Sequence, residues 1–195
     1  MTTPTFVHTK ESAIQIESTW LMIYYLARAA VSFVWFLTAV TLGSAVPVVS
    51  VILLIFYPAW DALANLLDAL RNGGLRRNPF QALNAVTSLI TTLAIAIALE
   101  AGMTTVLAVF GLWAVASGLM QLVTAVRRWR FFGAQWVMIL SGGQSALAGG
   151  FFIKQSLTPG IHGITEIAPY VAFGAFYFLV SGIWLVVRRV KRLNY

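Results

Sequence analysis

From Trp20 to Leu70 the chain reads WLMIYYLARAAVSFVWFLTAVTLGSAVPVVSVILLIFYPAWDALANLLDAL, and Arg28, Asp61 and Asp68 are its only charged residues. A helix needs about 20 predominantly apolar residues to cross the hydrocarbon core of a bilayer. This stretch holds two such runs, at about 20–42 and 46–70, separated by Gly43, Ser44 and Ala45. So short a break predicts a tight helical hairpin. The same ruler finds four further spans, at about 80–99, 104–126, 135–153 and 169–187. They are linked by RNGGLRRNP (71–79), Glu100-Ala101-Gly102, RRWRFFGA (127–134) and KQSLTPGIHGITEI (154–167), all rich in turn-forming or charged residues. The expected fold class is all-α, a polytopic membrane protein of six transmembrane helices arranged as three helical hairpins. Residues 1–19 read as a cytoplasmic N-terminal segment and 188–195 as a basic cytoplasmic tail, which leaves no room for a separate soluble domain.

Composition agrees with this reading. Of 195 residues, 59% are hydrophobic and 10% charged, against roughly a quarter charged in soluble domains. Mean hydropathy is +0.84. The net charge of +7 would point to nucleic acid in a soluble protein, but here the basic residues fall in short clusters between apolar runs. Lys10, Arg71, Arg76, Arg77, Arg127, Arg128, Arg130, Arg188, Arg189, Lys191 and Arg192 collect on one side of a six-span topology and only Lys154 on the other. That asymmetry places both termini in the cytoplasm. It also makes anionic lipid headgroups the expected contacts of the basic clusters and removes nucleic acid as a partner. Cysteine is absent, so disulfides, thiol chemistry and cysteine metal sites do not arise. The first eighteen residues lack the basic start, apolar stretch and cleavage site of a secretory signal, so the first span is expected to remain as an anchor.

The even-numbered spans share a pattern. FYPAWDALANLLDALR (56–71), FGLWAVASGLMQLVTAVRR (110–128) and FGAFYFLVSGIWLVVRR (173–189) each begin with an aromatic beside Pro or Gly and end in arginine. This reads as a weak internal repeat, with each pair of spans entering and leaving on one side. In the fifth span Ser141, Ser145 and Gly149 recur at i, i+4 and i+8, with Gly142, Ala146 and Gly150 on the adjacent row. Rows of small residues let helix backbones approach closely in lipid. The fifth span is therefore expected to be central, and the same surface is open to a second copy of the chain.

Ionisable groups at membrane depth carry the most information. Asp61, Asn65 and Asp68 stand at i, i+4 and i+7, on one helical face. Arg28 lies about 12 Å into the first span and Asp61 about 15 Å from Arg71, at 1.5 Å per residue. A charge near mid-bilayer costs upward of about 2.5 kcal/mol, so an Arg28–Asp61 contact is predicted. Asp68 is expected to reach water or the turn carrying Arg71, Arg76 and Arg77. Asn84 and Gln121 fall in the same half, completing a candidate polar cluster of Arg28, Asp61, Asn65, Asp68, Asn84 and Gln121. Two readings stand: a polar staple that fixes helix register, or a proton-accessible vestibule of a small transporter or channel. His8 and His162 lie on opposite sides and cannot share a site. His162 with Glu166 forms the one external pair that titrates near neutrality. Trp20, Trp129, Trp136 and Trp184 read as interface anchors. No phosphate loop, HExxH or GxSxG occurs, so the expectation is no enzyme, no catalytic residues, no cofactor and no metal.

YPAWDALANLLDALR (57–71), FGLWAVASGLMQLVTAVRRWR (110–130), GAQWVMILSGGQSALAGGFF (133–152) and FGAFYFLVSGIW (173–184) together resemble the HdeD-like acid-resistance membrane protein family. The resemblance implies a small six-helix protein of the bacterial cytoplasmic membrane, built of paired-helix repeats and contributing to acid or envelope stress resistance. It supplies no catalytic or binding residues. The chain departs from the family pattern at Arg28, Asp61 and the long basic turn after Arg71.

Overall fold

The computed structural model describes residues 4–130 and 135–193, with side chains from 19 to 130 and 135 to 191. His8, placed above on the side opposite His162, the topology signals Lys10 and Arg192, and the link residues 131–134 fall outside these described side chains. Six long helices follow one another: α1 (Pro4–Thr38), α2 (Pro47–Arg71), α3 (Pro79–Ala101), α4 (Met103–Arg128), α5 (Gln135–Ser156) and α6 (Ala168–Leu193). Among the described residues there is no strand. All six are long and apolar enough to cross a bilayer, over Thr19–Gly43, Pro47–Arg71, Pro79–Ala101, Met103–Arg128, Gln135–Ser156 and Ile164–Lys191. They fit an integral, multi-pass membrane protein. α1 begins at Pro4, ahead of the span that starts at Thr19.

Local chemistry sets the boundaries. Pro47 and Pro79 begin α2 and α3 at the position where a missing N–H costs nothing. The turn after α2 passes through Gly73 and Gly74, both at positive φ, and α3 gives way to α4 at Gly102, with φ of 101°. Only glycine adopts these conformations without strain. α1 ends in a π-helical turn, Ala39–Gly43, whose last carbonyl accepts a hydrogen bond from Ser50 Oγ at 2.6 Å. Pro58 lies inside α2. Beside it, the Leu53 carbonyl accepts a bond from Trp35 Nε1 at 2.8 Å, which ties α1 to the proline turn.

Close packing does not follow the shortest links. α4 and α5 share the most extensive contact, followed by α1 with α6, α2 with α3, and α3 with α4, whereas α1 and α2 touch sparingly. The glycines explain the first case. A methyl group at Gly118 would sit 2.6 Å from the Gly142 carbonyl oxygen, and one at Gly142 would sit 2.7 Å from that of Gly118. Gly111 meets Gly149 in the same reciprocal manner, so α4 and α5 lie backbone to backbone. Gly182 of α6 receives Leu26 of α1. Between α1 and α2, by contrast, stand Arg28, Trp35 and Tyr57, whose length holds the backbones apart. The expected tight hairpin of the first two spans is thus bridged by long side chains. Gly150 departs from expectation too: it is exposed, with nothing within 4 Å of its Cβ position, so the packing row ends at Gly149.

Apolar side chains outside the bundle form a belt that water would not tolerate. Ile97 is 71% exposed and Leu147 79%, with Leu93 and Leu112 close behind. Such a continuous apolar surface is the mark of a lipid-facing exterior. Trp129, Trp136 and Trp184 are exposed near helix ends, and Arg188 lies over Trp184.

At the end opposite the arginines, a 3-10 turn, Ile164–Glu166, closes the bundle. Ile164 is buried against Gly43. His162 places Nε2 3.1 Å from the Thr158 carbonyl and Nδ1 3.0 Å from Glu166, which also accepts the Gly163 N–H. With both nitrogens facing acceptors, the imidazolium is favoured and its pKa rises above 6.5, first through the Thr158 carbonyl and then through Glu166. Stability from this clasp is full below the ordinary histidine value and is lost as pH rises through the folded one. Amide exchange across 157–167 should therefore quicken as pH climbs past neutrality, beyond the intrinsic rate change, and His162→Gln should abolish that excess. Equal pH profiles for both proteins would refute the clasp.

Candidate functional site

Buried polar side chains are concentrated in one half of the bundle. Four polar residues of α3, Gln81, Asn84, Ser88 and Thr91, recur every three or four positions and are all buried, so they form a stripe on the face turned inward. Asp61, Asn65 and Asp68 on α2 are buried as well. Ser117 and Arg128 of α4 and Arg28 of α1 complete a seam running from mid-bundle to the arginine-rich end.

Asp61 is its deepest charge, 5% exposed. One carboxylate oxygen is paired with Arg28 Nη2. The other accepts hydrogen bonds from Ser88 Oγ at 2.8 Å and Asn65 Nδ2 at 3.0 Å, with Ser117 Oγ at 3.5 Å. Ser88 is itself the acceptor for Trp113 Nε1 at 2.9 Å, and Ser117 donates to Asn84 at 2.6 Å. Arg28 Nη1 donates to Tyr24 Oη at 2.9 Å, and its guanidinium lies 4.3 Å from the Phe178 ring centre. One carboxylate thus gathers groups from four helices.

Asp68 departs from expectation. It is 2% exposed and is not paired with Arg71, Arg76 or Arg77. Its partner is Arg128 of α4, Nη2 to Oδ2 at 2.8 Å, while Asn72 Nδ2 takes the other oxygen at 2.7 Å. Arg128 was read only as a topology signal, yet it stands seven residues beyond Gln121, on the same helical face. That spacing, like the α3 stripe, was present in the sequence. Gln121 is less integrated: its amide lies 3.4 Å from the Met138 carbonyl of α5, with no bond to either carboxylate. The small residues of α5 divide by role, for Gly142 and Gly149 pack on α4. Ser145 does more. It donates to the Ala114 carbonyl at 3.0 Å and sits 2.8 Å from Tyr170 Oη.

Two cavities lie along the seam. One, of about 30 Å³, borders Asp61, Ser117, Ser141, Gln144 and Tyr170. The other, of about 40 Å³, borders Asn65, Asp68, Gln81, Asn84 and Arg128. Arg28, Gln121 and Phe178 border both. Each has room for roughly two or three waters. The donors and acceptors around them are carboxylate, guanidinium, amide and hydroxyl groups, already matched charge for charge, and among the described residues no three His, Asp or Glu side chains gather into a metal site.

No curated protein and no solved structure matches the chain. Residues 83–154, from the first turns of α3 through α4 and nearly all of α5, match the family described as a short repeat of unknown function (DUF308), which is the HdeD-like family.

Proposed function

We propose that the protein is a non-enzymatic component of the bacterial cytoplasmic membrane, with both termini in the cytoplasm, that supports resistance to acid or envelope stress. The observation that carries this reading is the seam: two arginines and two aspartates neutralise each other inside the bundle, and every carboxylate oxygen is held by at least one donor. Such a site binds helices together and leaves neither carboxylate free as a catalytic base. The similarity of 83–154 to the HdeD-like repeat supports the physiological setting. The exposed Arg71, Arg76, Arg127 and Arg188 face anionic headgroups at the cytoplasmic surface, and the lipid-facing side of α5 is available to a second copy.

A deletion strain tests this. Its survival and cytoplasmic pH after an acid challenge should fall, and the wild-type protein should restore both. A deletion strain as resistant as its parent sinks the proposal. A second reading, a small proton-linked transporter or channel using Arg28, Asp61 and Asp68, is favoured by one observation: the two water-sized cavities meet at Arg28. Loss of protection in Asp61→Asn at equal membrane expression would move that reading ahead.

A further inference from the structure

We infer that the cleft between α1 and α2 is a lipid site, which takes one acyl chain of a phospholipid from the leaflet opposite the arginine-rich end. These two helices pack sparingly although a short link joins them. The space between them is about 310 Å³ and is bordered by Ala30, Val31, Val34, Trp35, Leu53 and Phe56. Trp35 holds it open. Its Nε1 donates to the Leu53 carbonyl at 2.8 Å, and its ring centre lies 5.3 Å from that of Tyr57. An indole fixed in this way keeps the two backbones apart.

The chemistry of the wall selects the occupant. Thr38 brings the one hydroxyl on the border, and it donates to the Val34 carbonyl at 2.8 Å. With the Trp35 N–H also engaged, no side-chain donor or acceptor on the wall is left for water. An apolar cavity of about 150 Å³ stays dry and binds benzene. The cleft is about twice as large, and a methylene is close in size to a water at about 30 Å³, so on the order of ten methylenes fit. Lipid tails are as apolar as leucine, so the gain is one of contact: the walls of an unfilled cleft forfeit dispersion energy that a chain restores.

Depth and access point the same way. The first span ends at Gly43, so the stretch from Thr38 back to Ala30 lies about 8–20 Å below that end at 1.5 Å per residue. Leu53 and Phe56 lie about 9 and 14 Å in from Pro47, where the second span starts. In a hydrocarbon core about 30 Å thick these are the depths of the chains of one leaflet, beneath its headgroups. Val34 is 61% and Phe56 43% exposed. The rim is thus continuous with the lipid-facing belt, and a chain enters sideways from the bilayer to supply the contact that α1 and α2 lack.

The test uses the full-length protein in vesicles of phosphatidylethanolamine and phosphatidylglycerol. The probe is phosphatidylethanolamine with a photoreactive diazirine midway along one acyl chain, and mass spectrometry of peptides locates the adducts after illumination. Leu112 and Leu147, 63% and 79% exposed, lie about 14 Å from the same end of their spans and report ordinary lipid contact. Adducts at Val31, Val34 and Phe56 should exceed those at the two references by about tenfold, the ratio that a preference of 1.4 kcal/mol sets. Ala30→Phe and Val31→Trp, which fill the cleft, should bring the remaining cleft positions down to the reference level. Equal labelling of cleft and references in the wild type overturns the site. A cleft labelled less than the references overturns it in favour of a second copy of the chain. Labelling that both filling variants leave unchanged, with Leu112 and Leu147 labelled as in wild type, overturns the placement between α1 and α2. The wild-type comparison needs no variant, so a substitution that unfolds the bundle leaves it decisive.

Discussion

Asp61→Leu alone should lower the stability of the bundle by about 3–5 kcal/mol, the cost of leaving one partner of a buried ion pair uncompensated. Arg28 would then stand deep in the first span without its counter-charge. Its route to an interface is long, and Ser88 and Asn65 would lose their shared acceptor. The companion variant, Arg28→Met with Asp61→Leu, removes both charges and should recover most of the loss, since apolar replacements of a buried pair are often neutral or better. Steric trapping or detergent titration of unfolding in bicelles measures both. A single variant as stable as wild type would mean that the pair is solvated rather than desolvated. Asp68→Leu should cost less, because Arg128 sits in the last turn of α4 and can extend its head group to the interface.

Gly118→Leu should be as damaging by a different route, at about 3 kcal/mol, the upper end of overpacking costs. The atoms in the way are backbone: the Gly142 carbonyl oxygen at 2.6 Å and the Ala146 nitrogen at 2.7 Å from the new Cβ. Neither can rotate aside, so α4 and α5 must separate and lose the contact that organises the bundle. Gly143→Leu is the control. Nothing lies within 4 Å of its Cβ position, and the change should stay within about 0.5 kcal/mol. Comparable losses at both positions would refute the backbone-to-backbone packing of the two helices.

Hydropathy made the six spans legible to within a few residues, because each must meet the same length requirement and a glycine or a basic residue marks where each ends. The Arg28–Asp61 contact was also readable, since depth along adjacent spans is simple arithmetic and an unmatched charge is costly. Pairing between helices was not readable from the links. It depends on which glycines face one another, and the α5 row looked equally small on both sides of the helix. Only the contact with Gly111 and Gly118 separates Gly142 and Gly149 from exposed Gly150. Arg128 was misread for a related reason. It belongs to a basic cluster that topology alone accounts for, and its second role appears only when α2 is placed beside α4.

The packing of α1 on α6 has a consequence for how the chain is made. Of the six helices, α1 is made before the others and has α6 as its main partner. Thr38 and Ala168 bound the interval, and at about 5–20 residues per second its synthesis takes roughly 6–26 seconds. Throughout that wait the face of α1 bearing Leu21 and Tyr25, which ends up buried, has no permanent cover. Arg28 with Asp61 and Trp35 with the Leu53 carbonyl join α1 to α2, and these contacts need only the second helix, whereas the larger face waits for the sixth.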